Sequence, residues 1–232
     1  LKILIGTPCG GGVVTTQYLM SIIETTYAIK KNNPDIHVTL YTLAQESLLP
    51  RGRNHIAQVA LTQKYDKLFF IDADGGWSYQ DFMRVAMSPF PLVAGIVPLK
   101  IYPTTLNYLP FKEDEKYFGN AKRTFEGTMK LRKGHGGAAE IPVAFVGTAF
   151  LCIDQQILMK LSETCQSYKY PNPHSGQLET HWDFFNASPV KNEYYSEDWG
   201  FCHKAREAGY DVRINTDVFI THTGNHTYRV EQ

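Results

Sequence analysis

Cysteine is scarce: four in 232 residues, at positions 9, 152, 165 and 202. None falls in a C-x-x-C pair, which excludes a zinc ribbon and a disulfide framework. Cys9, Cys152, Cys165 and Cys202 therefore read as reduced thiols, and a cytoplasmic location is expected. An excess of charge is missing too: Lys+Arg and Asp+Glu are both 23. That balance argues against a broad nucleic-acid or anionic-membrane surface while leaving room for a local basic pocket. Long apolar runs are also absent. The longest, Ile141–Ile153, is well under the roughly 20 residues of a membrane span and is interrupted by Gly147 and Thr148. The opening Lys2–Ile5 reads as a strand rather than a signal segment. The chain does not begin with Met, and is expected to be trimmed or cut from something longer. Glycine-rich GTPCGGG near the start fits neither G-x-G-x-x-G nor a P-loop, since no G-K-[ST] follows, which argues against a dehydrogenase or P-loop ATPase. No internal repeat and no domain linker is visible, and the length suits one domain with a sizeable core.

What is present is concentrated in Lys67–Trp77, KLFFIDADGGW. An apolar run of strand length ends in two aspartates spaced i, i+2 and then two glycines. Residues two apart on an extended segment share a side, so Asp72 and Asp74 can face one ion. Carboxylates are hard ligands suited to Mg2+ or Mn2+, ions that take the rest of their shell from water and substrate phosphates. Gly75 and Gly76 are expected to let the backbone turn sharply. A plain acidic turn is the competing reading.

Along the chain, Lys2–Gly6 reads as a strand, residues 7–12 as a tight loop, and Thr15–Asn32 as a helix with Leu19, Ile22, Ile23 and Tyr27 at helical spacing, stopped by Pro34. Ile36–Leu43 is a strand and Pro50–Gln63 a helix with Ile56, Val59 and Ala60 on one face. Ser78 and Asp81 form a capping box opening a helix to Met87. Leu92–Val97 is a buried strand. This alternation predicts a three-layer α/β/α domain with a mostly parallel sheet. The second half is less regular. No element is predicted between Phe111 and Ala139, Val143–Ile153 reads as a strand bent at Gly147, and residues 166–192 read as an aromatic surface loop able to act as a lid. Ser196–Ala208 is a helix with Gly209 just past its end, followed by a strand within Asp211–Ile220.

Three further clusters are candidates for chemistry. Arg51 and Arg53, beside a helix N-terminus in Pro50–His55, can clamp a diphosphate or form a solvated basic turn. Glu197 and Asp198 open a helix after Ser196, where capping alone explains acidic residues. His222, in Thr221–Gly224, is either a hydrogen-bonded structural residue or a third metal ligand.

In order, these are Asp-x-Asp after a strand, Val146–Phe150 (VGTAF), Glu197–Phe201 (EDWGF) opening a helix, and a C-terminal His. Together they resemble the GT-A glycosyltransferases across nearly the whole chain, with the closest likeness to small domains encoded by large chlorella viruses, near glycosyltransferase family 34. The resemblance implies one GT-A domain over residues 1–232, with a nucleotide-binding half of about 1–100 and an acceptor-side half of about 101–232. It implies transfer of a sugar from a UDP-sugar to a glycan or glycoprotein, with retention of configuration, in viral glycoprotein glycan synthesis in the host cytoplasm. By the same resemblance, Asp72, Asp74 and His222 hold Mn2+ or Mg2+, and Ala73 joins Asp72 at the nucleotide. Thr7, Pro8, Arg53 and Asn54 hold the nucleotide, Gly147 and Thr148 line the sugar pocket, and Glu197 and Asp198 face the donor sugar or acceptor hydroxyl. Two alternatives stay open. A sugar-1-phosphate nucleotidyltransferase would carry Gly-Gly-x-Gly-Thr-Arg near the start, and here no arginine follows Thr7. A non-catalytic glycan-binding module of the same fold would need no metal pair.

Overall fold

A computed structural model describes residues 1–117, 123–172, 175–190, 192–224 and 226–230. The first half runs β1 (Lys2–Cys9), α1 (Thr16–Asn32), β2 (His37–Ala44), α2 (Leu49–Thr62), β3 (Lys67–Ile71), β4 (Gly75–Gly76), α3 (Tyr79–Ala86) and β5 (Leu92–Ile96). The second half runs β6 (Tyr108–Leu109), a 3-10 turn (Lys112–Tyr117), α4 (Phe125–Gly134), β7 (Glu140–Pro142), β8 (Phe145–Val146), β9 (Phe150–Asp154) and α5 (Gln155–Ser162). It continues through β10 (Ser167–Pro171), β11 (Leu178–Trp182), β12 (Ser188–Val190), β13 (Glu193–Tyr195), α6 (Glu197–Glu207), β14 (Arg213–Phe219), β15 (Thr221–Thr223) and β16 (Thr227–Tyr228).

The main sheet has seven strands in the order β2-β1-β3-β9-β5-β14-β7. Strands β2, β1, β3, β5 and β14 run one way; β9 and β7 run against them. Strand periodicity assigns the two faces. Ile3, Ile5, Phe69, Ile71 and Val93 point into one core with Tyr18, Ile22, Phe82 and Val85 from α1 and α3. Leu4, Leu68, Phe70, Leu92 and Ala94 point into the other, with Ile56 and Ala60 from α2, Leu158 from α5 and Phe201 from α6. This is the expected α/β/α layering, and each fully buried Leu, Ile or Phe adds about 1.5–3 kcal/mol to its stability. The Ser78–Asp81 capping box is present, and Gly209 follows α6 at φ +90°.

Several local expectations are corrected. β1 continues through Thr7, Pro8 and Cys9, because β2 pairs with it as far as Cys9↔Ala44. Pro8 is tolerated because pairing with β3 stops at Gly6↔Phe70, so no β3 residue needs an N–H from Pro8. Helix α1 buries Tyr18, Ser21, Ile22, Thr25 and Ile29, while Leu19 and Ile23 are about half exposed and Tyr27 is 69% exposed. The stripe therefore turns by about one residue, since Tyr18 and Ser21 meet Thr7 and the Trp77 backbone. The region 111–139 holds a 3-10 turn and α4, capped by Thr124 on the Gly127 N–H. Rather than bending at Gly147, the chain breaks: β8 pairs with β6 and β9 inserts between β3 and β5. The 166–192 segment forms two antiparallel hairpins, β10–β11 and β12–β13, instead of a loop. After β14 the chain adds β15 and β16, which join β4 in a three-stranded sheet.

Candidate metal and nucleotide site

The site starts where β3 ends. The Asp72 N–H donates to Ala149 O at 3.1 Å, the Gly75 N–H to Asp72 O at 3.1 Å, and Ala73 O accepts the Thr15 N–H at 2.9 Å at the start of α1. β4 then pairs antiparallel with β15, Gly75 opposite His222 and Gly76 opposite Thr221, and the Thr223 N–H donates to Asp74 O at 2.9 Å. Gly75 and Gly76 thus form a strand rather than the sharp turn expected. A Cβ on Gly76 would sit 2.5 Å from Thr221 Oγ1, so the missing side chain lets β15 close in. That closure brings His222 beside an aspartate nearly 150 residues earlier.

One ligand atom from each of Asp72, Asp74 and His222 lies within 4.8 Å of the others. His222 Nδ1 lies 2.9 Å from Pro98 O, and only a protonated Nδ1 can bond a carbonyl. In the neutral ring, the Nε2 lone pair is then turned to the cluster, the arrangement that orients metal-binding histidines. Nε2 stands 3.2 Å from Asp74 Oδ1, which is buried and, with the ring neutral, has no donor among the described residues. Burial pulls the His222 pKa down, but Asp74 and the Pro98 carbonyl outweigh it and hold the imidazole above its ordinary range. Burial pushes Asp74 up, yet His222 and Lys100 hold it below the usual carboxylate range. Two carboxylates and a neutral imidazole, with one buried oxygen that then lacks a donor among the described residues, fit Mn2+ or Mg2+.

Arg53, in the second turn of α2, is 3% exposed. Its Nη2 donates to Asp72 Oδ1 at 3.1 Å and its Nη1 to Glu197 Oε1, tying the end of β3 to the start of α6. Arg51 does not join it. Its guanidinium pairs with Glu46 at 2.7 Å and stacks over Tyr170, so the two arginines expected as a clamp face different ways. Asn54 is also committed elsewhere. Its amide holds Phe185 through both N–H (2.7 Å) and O (3.1 Å) and donates to Asp183 (3.1 Å), anchoring the 183–185 turn rather than facing a nucleotide. The Thr7 hydroxyl is likewise turned inward, 2.6 Å from the Tyr18 hydroxyl. Pro8 lies at the carboxyl end of β1, opposite Leu43.

On α6, Asp198 Oδ1 accepts the Trp199 N–H at 2.8 Å and the Ser196 hydroxyl. Both bonds fall on one oxygen, and Oδ2 takes none among the described residues. Gly147 packs where a Cβ would overlap Asn107 Nδ2, so its smallness serves that contact. Thr148 is buried and its Oγ1 has no hydrogen-bond partner among the described residues. Two participants escaped the sequence reading: the Pro98 carbonyl, which orients His222, and Lys100, whose Nζ pairs with Asp74 Oδ2. A backbone carbonyl has no sequence signature, and a lone lysine in a Pro-marked stretch has little more.

No protein-family model matches the chain, and a search of curated proteins finds no match. Solved structures do resemble it. A197 from STIV is 15% identical at a TM-score of 0.57, the match covering 100% of this chain and 95% of that one. The catalytic domain of Drosophila β1,4-galactosyltransferase 7, in complex with xylobiose, is 14% identical at a TM-score of 0.47, covering 100% and 71%. GalNAc-T7 with UDP, GalNAc and Mn2+ is 10% identical at a TM-score of 0.49, covering 100% and 44%. At these identities the likeness is one of fold. The sheet order, the two helical layers and the acidic loop leaving β3 make this chain a GT-A-type, nucleotide-diphospho-sugar transferase fold.

Proposed function

We propose that the chain is a metal-dependent glycosyltransferase that moves a sugar from a UDP-sugar to a glycan or glycoprotein acceptor. One observation carries this reading: Asp72, Asp74 and His222 converge at the carboxyl edge of the sheet, with the imidazole already oriented by Pro98 and the buried Asp74 Oδ1 facing its Nε2. In open α/β sheets that edge is where ligands bind.

These three residues would hold Mn2+ or Mg2+, which when bound supplies a Lewis acid for the charge appearing on the leaving diphosphate. Arg53 bridges Asp72 and Glu197 and holds them at fixed separation, so the end of β3 and the start of α6 meet the donor as one unit. Asp198, held by one oxygen with the other left without a hydrogen bond, is the carboxylate best arranged to take the proton of an acceptor hydroxyl. Glu197, already bound by Arg53, orients rather than accepts. The unpartnered Thr148 hydroxyl supports a sugar-side role for residues 147–148. Pro8 and Ala73 stay with the nucleotide, through backbone position. Retention of anomeric configuration, a viral glycan pathway in a host cytoplasm and a relation to the chlorella-virus domains near family 34 complete the proposal; the anomer of the product tests the first.

The test is calorimetry of UDP with and without Mn2+, on wild type and Asp74→Asn. Wild type should bind UDP more than tenfold tighter with Mn2+, and Asp74→Asn should lose that gain while its thermal unfolding stays cooperative. Equal UDP affinity with and without Mn2+ would sink the metal assignment. Products on mixing with a UDP-sugar separate the alternatives: UDP for a transferase, pyrophosphate chemistry for a nucleotidyltransferase, nothing for a binding module.

A further inference from the structure

Lys100 sits on a segment to which the proposed chemistry assigns no part beyond one carbonyl. Residues 97–107 fold back on themselves. The Leu99 N–H donates to Thr105 O at 2.7 Å, the Asn107 N–H donates to Val97 O at 2.8 Å, and Pro98 bridges Leu106. Pro98 presents its carbonyl to His222, and two residues later the Lys100 ammonium pairs with Asp74 Oδ2. The lysine stem lies over Gly224, where a Cβ would stand 3.3 Å from Lys100 Cδ. One stretch of backbone therefore sets both an imidazole and an ammonium around a single carboxylate. The two oxygens of Asp74 are divided between them: Oδ1 faces His222, and Oδ2 carries the lysine.

The pairing is not a strong structural one. Lys100 is about a third exposed, and ion pairs of that kind contribute about 0–1 kcal/mol, so the ammonium is free to exchange partners. A lysine is a point charge with three donors on a flexible stem, suited to phosphate oxygens. Its position in the sheet order selects which phosphate. Thr7–Cys9 and Ala44, where a nucleoside would lie, end β1 and β2 on one side of the Asp72–Asp74 loop. Lys100 follows β5, which lies on the other side, beyond β9. We infer that Lys100 is a diphosphate-binding residue: its ammonium, parked on Asp74 Oδ2, turns to the terminal phosphate of a bound nucleoside diphosphate, next to the metal-facing oxygen of the same aspartate. This rests on the metal–nucleotide reading above.

The experiment is calorimetry of UDP and of UMP at saturating Mn2+, and of Mn2+ alone, on wild type and Lys100→Met, which keeps the stem and removes the charge. UDP affinity should fall about tenfold, the weight of one charge-assisted contact. UMP, lacking the terminal phosphate, should change less than twofold, and Mn2+ alone should bind no more weakly. Lys100→Arg should recover part of the UDP affinity. Equal losses for UDP and UMP, an unchanged UDP affinity, or weakened binding of Mn2+ alone would each overturn the assignment, the last by making Lys100 a support of the ion site. If wild type itself showed no Mn2+-dependent UDP binding, the underlying reading would fall with it. If wild type bound UDP and Lys100→Met matched it, only the lysine assignment would fail.

Discussion

A buried guanidinium needs carboxylates around it, and Arg53 has two from opposite halves of the chain, Asp72 and Glu197. Arg53→Met would leave those carboxylates facing each other without a cation. We expect a loss of about 2–3 kcal/mol in urea unfolding, somewhat under the roughly 3–5 kcal/mol of a fully buried broken pair because Asp72 and Glu197 keep some water. At α6 the test is Asp198→Asn. Asp198 lies in the first turn of α6, and asparagine keeps the Oδ1 acceptor while giving up only helix-dipole attraction, so stability should fall by no more than about 0.3–1 kcal/mol. If Asp198 takes the acceptor proton, turnover should drop by roughly 10²–10⁴; near wild-type turnover would return Asp198 to a purely capping role. His222 gives a pH dependence with a definite direction. Its pKa in the folded protein is raised, so in metal-free protein its pairing with Asp74 adds stability that is complete below the ordinary imidazole pKa of about 6.5. That contribution disappears as pH climbs through the raised value. Mn2+ needs the neutral ring, so its affinity should rise over the same window. Thermal melts and Mn2+ titrations from about pH 5.5 to 8.5 should show these opposite trends, and His222→Gln should flatten both.

Helix α1 shows how an element can follow its sequence pattern and still face another way. Leu19, Ile22, Ile23 and Tyr27 have helical spacing, yet only Ile22 of these is buried, together with the polar Ser21 and Thr25. Those polar residues are inside because Trp77 needs them: its backbone N–H donates to Ser21 Oγ at 2.9 Å and its indole N–H to Thr25 Oγ1 at 3.0 Å. Ile22→Ala should cost about 2–4 kcal/mol, whereas Ile23→Ala should stay within about 0.5 kcal/mol. Equal effects in chemical unfolding would contradict the orientation. The 166–192 region makes a similar point. Tyr, Pro and His suggested a loop, but Ser167–Pro171 and Leu178–Trp182 pair across five registers, and His181 from β11 stacks on His55 of α2 at 5.3 Å. The outer face of the hairpin carries Lys169 and Leu178 to solvent, while Tyr168, Tyr170 and His181 share the inner face, so polar and aromatic residues interleave as they would in a loop.

For the molecule as a whole, the sequence alone was enough to establish the α/β class, the helix starts at Thr15 and Ser78, the carboxyl-edge position of Asp72 and Asp74, and the end of α6 at Gly209. Each depends on interactions within a few residues, such as strand periodicity, a cap or a glycine past a helix end, so local order in the chain suffices to specify it. The reversed strand β9 lay outside that reach. Its apolar run looks the same in either direction, and only insertion between β3 and β5 determines which way it runs. The same limit hid the division of labour in Arg51–Asn54, four adjacent residues of one polar stretch. Arg53 turns to the acidic cluster, while Arg51 and Asn54 are spent on Glu46 and on the 183–185 turn by contacts up to 131 residues away. His222 was suspected from its place after a strand, but its orientation was settled by the Pro98 carbonyl, and its nearness to Asp74 by a glycine, Gly76, small enough for β15 to close on β4. Backbone carbonyls and close approaches have no residue type to announce them. They exist only once distant segments have packed.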